Sequence, residues 1–315
     1  MIEVVTPSRL HITLIDLNGA LGRIDGSVGL TLDFPSVKIN AREDTELSVS
    51  GTTRFADRIR EAASAIISKY KVDGVAIDVV EEYPAHVGLG SGTQIALAVG
   101  TAISELYGLD LKPASIARLT GRGGTSGIGV AAYEWGGFII DGGHKGKTDF
   151  LPSSASGRYD PAPMIVRHNF PDWNIVLAIP NLHGASDKRE ISIFQNNCPL
   201  PLTEIQKLSH VILMEMLPAV VEKDIESFGR SIDRVQTLGF KRRELRLQPF
   251  CVSLLRFMKE NGAFGAGMSS FGPAVYGIVD GKELQNTVRS YLSETVGGEV
   301  HAVKARNSGA FVREL

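Results

Sequence analysis

The segment Pro84-Ala-His-Val-Gly-Leu-Gly-Ser-Gly-Thr-Gln94 carries Gly88, Gly90 and Gly92, interleaved with Ser91 and followed by Thr93. A strand-like run at 75–81 precedes it, and residues 93–107 follow with the apolar spacing of a buried helix. Strand, glycine loop and helix in that order build a phosphate cradle. Glycines let backbone approach the anion, free N–H groups at the helix start point at it, and the helix dipole favours its charge. The loop lacks the Lys of a Walker A motif and lies too far into the chain for a first Rossmann turn. A tight strand-to-helix turn is the plain alternative.

Other residue types suit an anionic ligand. Arg9, His11 and Asp16 share one strand-like segment, and Arg9 and His11, two apart, face the same side. The forked donors of Arg9 fit a phosphate, with a surface salt bridge as the second reading. His11 reads first as a neutral packed imidazole and second as a substrate contact. Asp16, just before Asn18-Gly19, either forms a turn or ligates Mg2+ or a substrate hydroxyl. Arg122 sits among Gly121, Gly123 and Gly124, beside Thr125 and Ser126, where a cation and two hydroxyls suit an anionic substrate, with a solvated loop charge as the second reading. Asp141 and His144 flank two glycines and read equally as a hairpin turn or as groups that orient a substrate or hold a metal. Ser269 and Ser270 follow a second glycine-rich stretch and could donate to diphosphate. Lys241 and Arg242 either reach an anion or form a charge pair on a helix surface.

These residues need a scaffold. Strands are expected at 2–5, 10–14, 28–33, 37–41, 75–81 and 138–141, then at 174–180, 274–279 and 300–305. Helices are expected at 53–71, 93–107, 113–120, 203–221, 224–238, 249–261 and 282–295, with Pro218 ending or kinking the fourth. Residues 142–163 read as loop. A strand-rich first half and helix-rich second half imply an α+β architecture in two domains, 1–168 and 169–315.

Composition narrows the class. The chain has 315 residues, 43% hydrophobic and 22% charged, with a formal net charge of −2, so nucleic acid is not an expected partner. Cys198 and Cys251 lack metal-ligand spacing and are read as free thiols. No apolar run approaches ~20 residues and no signal-peptide pattern opens the chain, so a cytoplasmic enzyme without membrane contact is expected. The expected assembly is a homodimer.

The glycine loop resembles the PxxxGLGSS-type motif of the GHMP superfamily of small-molecule kinases. Pro7-Ser-Arg-Leu-His-Ile-Thr-Leu-Ile-Asp-Leu-Asn-Gly19 resembles that family's first motif, and Gly265-Ala-Gly-Met-Ser-Ser-Phe-Gly-Pro273 its third. The resemblance spans nearly the whole chain and implies a two-domain GHMP fold, whose N-terminal domain is like that of ribosomal protein S5. It also implies that the segment holding Arg9 approaches the active site. One departure matters. Where the kinases carry an Asp that activates the substrate hydroxyl, this chain reads Thr125-Ser-Gly-Ile-Gly129, and glycine cannot take a proton. Gly121–Gly129, Gly136–His144, Phe150–Ser156, Phe170–Trp173, Gly239–Lys241 and Gly267–Pro273 are similar to one branch, the β-ribofuranosylaminobenzene 5′-phosphate synthases of archaeal methanopterin biosynthesis. That similarity implies condensation of 4-aminobenzoate or 4-hydroxybenzoate with phosphoribosyl diphosphate, assisted by Mg2+, releasing carbon dioxide and diphosphate. An ATP-dependent GHMP kinase with a displaced base, and a GHMP binding protein without chemistry, are the alternatives.

Overall fold

The computed structural model describes residues 1–51, 53–153, 155–184 and 187–315. Ser154, within the motif 150–156, lies outside the described residues. In chain order the elements are β1 (Ile2–Asp16), β2 (Arg23–Asp44), β3 (Ser48–Ser50), α1 (Ala56–Tyr70), β4 (Gly74–Glu81), α2 (Ser91–Leu106), α3 (Pro113–Leu119), α4 (Ile128–Glu134), β5 (Phe138–Asp141), β6 (His144–Lys145) and β7 (Met164–His168). Then come β8 (Asn174–Pro180), α5 (Asp187–Asn197), α6 (Leu202–Val211), α7 (Leu217–Glu222), α8 (Ile225–Gln236), α9 (Lys241–Leu245), α10 (Pro249–Glu260), β9 (Gly265–Met268), β10 (Val275–Val279), α11 (Glu283–Ser293), β11 (Gly298–Val303) and β12 (Phe311–Glu314).

Four of the strands expected from sequence are two long ones. β1 and β2 pair antiparallel along their lengths, with register shifts between Thr6 and Ser8 and between His11 and Thr13. A bulge interrupts the alternation that marks a strand, so periodicity reads each as two pieces. The first sheet runs β12-β1-β2-β4-β3, with β5 and β6 also on β2 and β7 on β5. The second runs β11-β8-β10-β9 and is antiparallel throughout. Among the described residues the chain's last strand is β12, which returns to the first sheet beside β1 rather than ending the fold at 300–305.

α2 is buried along nearly its whole length, with Ile95, Leu97, Ala98, Val99, Ala102 and Ile103 in the same core as Leu10, Ile12 and Leu30 of the sheet. Small residues let it sit deep. A Cβ on Gly100 would lie 2.2 Å from the Ile116 side chain on α3. In the same way Gly29 on β2 makes room for Ile128 of α4, at 2.2 Å from where its Cβ would be. Pro218 opens α7, just after a π-helical turn at Ile212–Met216, and the helical path continues to Glu222 instead of ending at the proline. No helix among the described residues is long and apolar enough to cross a membrane.

Candidate active site

The glycine loop lies at the junction of three segments. Gly88 and Gly90 take positive φ, 90° and 83°, which an L side chain resists, and α2 begins at Ser91. The Arg9 backbone N–H donates to the Leu89 carbonyl at 3.3 Å, and its guanidinium donates to the Gly88 carbonyl. From the other side the Ser269 hydroxyl donates to the Gly88 carbonyl at 2.7 Å, and the Ala274 N–H donates to Val87 at 3.0 Å. The loop is thus stitched to β1 and to the turn after β9 at once. A Cβ on Gly88 would meet the Ser269 carbonyl oxygen at 2.3 Å, so glycine is required there for packing as well as for φ.

This junction floors a cleft lined by Arg9, His11, Gly88, Gly90, Ser91, Gly92, Thr93, Arg122, Thr125, Ser126 and Ser270, all expected from sequence. Arg58 of α1, Glu244 of α9 and the apolar side chains Leu14, Phe194 and Phe271 also line it. Three arginines therefore surround the start of α2, where the Thr93 and Gln94 N–H groups bond the Gly90 carbonyl at 3.0 and 3.2 Å and the Ser91 and Gly92 N–H groups precede the first bonds of the helix. Burial lowers the Arg9 guanidinium to about 10, which leaves it charged at neutral pH. His11 is pulled well below its usual value, first by burial and then by Arg9 and Lys241, so it is neutral. Its Nδ1 is buried with no partner among the described residues, while its backbone is fixed by the Ser269 hydroxyl and by Ser270 N–H, both at 2.9 Å.

Five expected site residues lie behind the cleft wall. Asp16 forms a turn: one carboxylate oxygen accepts from the N–H of Asn18 at 2.7 Å and Gly19 at 3.0 Å. Among the described residues no three His, Cys, Asp or Glu groups come together to hold a metal, so the Mg2+ ligation expected of Asp16 has no protein ligand set around it. His144 contacts Asp25 at 2.7 Å and the Gly123 carbonyl at 3.1 Å. Lys147 joins it, donating to Asp25 at 3.0 Å and to the Gly124 carbonyl at 2.6 Å. This buried cluster holds the loop that presents Arg122; it does not touch the cleft. Asp141 accepts from Ser27 and from the N–H groups of Gly127 and Gly143, so its carboxylate is also turned inward. The Ser269 hydroxyl donates to the Gly88 carbonyl rather than facing the cleft. Lys241 is fully buried, 2.5 Å from Glu244, and donates to the carbonyls of Met268 at 3.2 Å and Ser270 at 2.9 Å. Arg242 makes the surface pair, with Glu204 at 3.2 Å.

Sequence reasoning missed Arg58, Asp25 and Lys147. Arg58 lies beside the apolar face of α1, and its reach to the loop is set by tertiary packing: a Cβ on Gly92 would lie 1.8 Å from its guanidinium. Glu244 was findable, since it stands three residues after Lys241 on a helix. Thr125, though in the cleft wall, donates its hydroxyl to the Leu151 carbonyl at 2.7 Å. Gly129, on the first turn of α4, has its missing Cβ 3.1 Å from Thr93 Cγ2, so the position faces the glycine loop.

Known proteins agree with this architecture. Residues 57–137 match the GHMP kinases N terminal domain and residues 216–297 the GHMP kinases C terminal domain. Crystal structures of a homoserine kinase from Cytophaga hutchinsonii (TM-score 0.67, 15% identity, 99% of this chain and 97% of that one) and of the Methanococcus jannaschii mevalonate kinase (TM-score 0.67, 16% identity, 98% of each) share the fold. In sequence the chain is 50% identical to a beta-ribofuranosylphenol 5'-phosphate synthase of Archaeoglobus fulgidus, over 98% of both chains. It is 45% identical to the protein of that name from Methanothermobacter thermautotrophicus, over 99% of both. The chain belongs to the GHMP kinase superfamily and, within it, to the beta-ribofuranosylphenol 5'-phosphate synthase family.

Proposed function

We propose that the protein joins phosphoribosyl diphosphate to 4-hydroxybenzoate, releasing carbon dioxide and diphosphate, as a synthase of methanopterin biosynthesis. The family's name carries a phenol, which favours the hydroxyl over the amine of 4-aminobenzoate at the ring's para position. The observation that carries the reading is an arginine-ringed anion cradle combined with Gly129. At the position facing Thr93, where the related kinases hold a carboxylate base, there is no side chain. A phosphoryl transfer to an alcohol gains rate from a group there that takes the hydroxyl proton. A substrate that already carries its leaving group does not.

The steps balance without one. The C1–oxygen bond of phosphoribosyl diphosphate breaks and its electron pair leaves with diphosphate. Arg9, Arg58, Arg122 and the N–H groups opening α2 meet the charge that builds there. The ring carbon bearing the carboxylate donates a pair to C1. The carbon–carboxylate bond then breaks, its electrons restore the aromatic ring, and carbon dioxide departs. Leu14, Phe194 and Phe271 form the apolar wall suited to the benzoate ring. Neutral His11 adds no cation to this side of the cleft. Among the described residues the carboxylates form no magnesium cage, so no step is assigned to Mg2+; the ion would come with the diphosphate, as Mg2+ commonly comes with substrate phosphates. The test is release of labelled carbon dioxide from carboxyl-labelled 4-hydroxybenzoate, dependent on phosphoribosyl diphosphate and independent of ATP. ATP-dependent phosphorylation of a small alcohol in its place would overturn the reading.

A further inference from the structure

A buried carboxylate fixes which way one cleft hydroxyl faces. Asp141, 1% exposed, accepts from the Ser27 hydroxyl, from Gly127 N–H at 2.9 Å and from Gly143 N–H at 3.0 Å. Ser27 has a single hydroxyl hydrogen, and an ionised carboxylate has none to give, so that hydrogen goes to Asp141. Ser126 Oγ lies 2.6 Å from Ser27 Oγ. With the Ser27 hydrogen committed, Ser126 must be the donor in this contact. One of its lone pairs accepts from Ile128 N–H at 3.2 Å. What Ser126 turns toward the cleft is its second lone pair.

A lone pair repels a phosphate oxygen and accepts from an O–H. We propose that Ser126 is an obligate acceptor selecting a ligand hydroxyl, with Ser27 and Asp141 as positioning residues that hold its polarity. The phosphate contact expected of Ser126 is thereby replaced. Burial pushes the Asp141 carboxyl up to about 6, against the pull of its three donors, and this still leaves it ionised at neutral pH. The proposed function supplies the identity of the ligands. Two of them carry the required chemistry: the ribose hydroxyls of phosphoribosyl diphosphate and the phenolic hydroxyl of 4-hydroxybenzoate.

The experiment is calorimetric titration of wild type and Ser126→Ala with three probes: inorganic diphosphate, phosphoribosyl diphosphate and 4-hydroxybenzoate. The substitution is expected to weaken one hydroxyl-bearing ligand about tenfold, the usual scale for one hydrogen bond, and to leave inorganic diphosphate within about twofold. Loss on phosphoribosyl diphosphate assigns the contact to the ribose, and loss on 4-hydroxybenzoate assigns it to the phenol. Three results overturn the proposal: an equal loss on inorganic diphosphate, no loss on either hydroxyl ligand, or a wild type that binds diphosphate and neither of the others. Ser27→Ala is the second variant. It releases the Ser126 hydrogen toward the cleft, so inorganic diphosphate should bind severalfold tighter, and unchanged binding counts against the proposal. If wild type discriminates through Ser126 yet releases no carbon dioxide, the synthase reading fails and the acceptor role of Ser126 stands.

Discussion

Arg58 and Gly92 show how much one residue pair decides. The arginine guanidinium occupies the place a Cβ at position 92 would take, 1.8 Å from it. Because the clashing atom ends a flexible side chain, Gly92→Ala should fold normally and swing Arg58 off the cradle. Its affinity for inorganic diphosphate is expected to fall by about as much as in Arg58→Ala, on the order of tenfold for one charge-assisted contact. Calorimetry on the two variants checks this, and a Gly92→Ala protein with wild-type affinity would remove Arg58 from the anion site. Asp141 is the other residue with a measurable signature. Its folded pKa, raised by burial to about 6 from 3.8, means that the folded state holds the proton more tightly than the unfolded chain. Its contribution to stability is therefore fullest below about pH 4, falls as pH rises from about 4 to 6, and is flat above. The shift corresponds to roughly 2 to 3 kcal/mol. Urea unfolding of wild type and Asp141→Asn across that range should show the difference between them shrinking with rising pH; a constant difference would place the Asp141 pKa near its unfolded value.

At the scale of elements, α9 anchors the second glycine turn through Lys241 and Glu244. Burial pulls the lysine down and pushes the glutamate up, and each partner's charge opposes the other's shift. Lys241→Ala leaves Glu244 buried and unpaired and should cost about 3–5 kcal/mol, whereas the double variant Lys241→Met/Glu244→Leu should recover most of that loss. Denaturant midpoints decide between this and independent, additive effects. The elements also show what local sequence could reveal. The glycine loop and α2 were legible because their signal lies within about twenty consecutive residues. No strand is expected at β9 because Gly265-Ala-Gly-Met lacks strand-forming side chains. Gly265 is there because α8 packs on it: a Cβ would lie 2.2 Å from the Gly229 backbone. α4 was missed as a seven-residue helix with Gly129 in its first turn, against helix propensity. Among its described residues the polar α5 contributes Ile193 and Phe194 to the buried core, too few to show a helical stripe.

Across the whole molecule the fold brings residues from distant parts of the chain to one cleft and to the buried supports behind it. Lys147 reaches Asp25 over 122 positions, Ser27 reaches Asp141 over 114, and Ser269 reaches Gly88 over 181. Such pairs leave no spacing for a single sequence to display. Residue types nonetheless marked Asp141, His144 and Lys241 as unusual, and they are: buried supports for the loops that form the site. The central claim concerns what that site does with its anion. It is tested most directly by incubating the protein with phosphoribosyl diphosphate and carboxyl-labelled 4-hydroxybenzoate, without ATP, and measuring carbon dioxide and diphosphate together. The account predicts equal molar amounts of the two, with neither formed when either substrate is omitted. Diphosphate release without labelled carbon dioxide, or turnover that begins only when ATP is added, would contradict it.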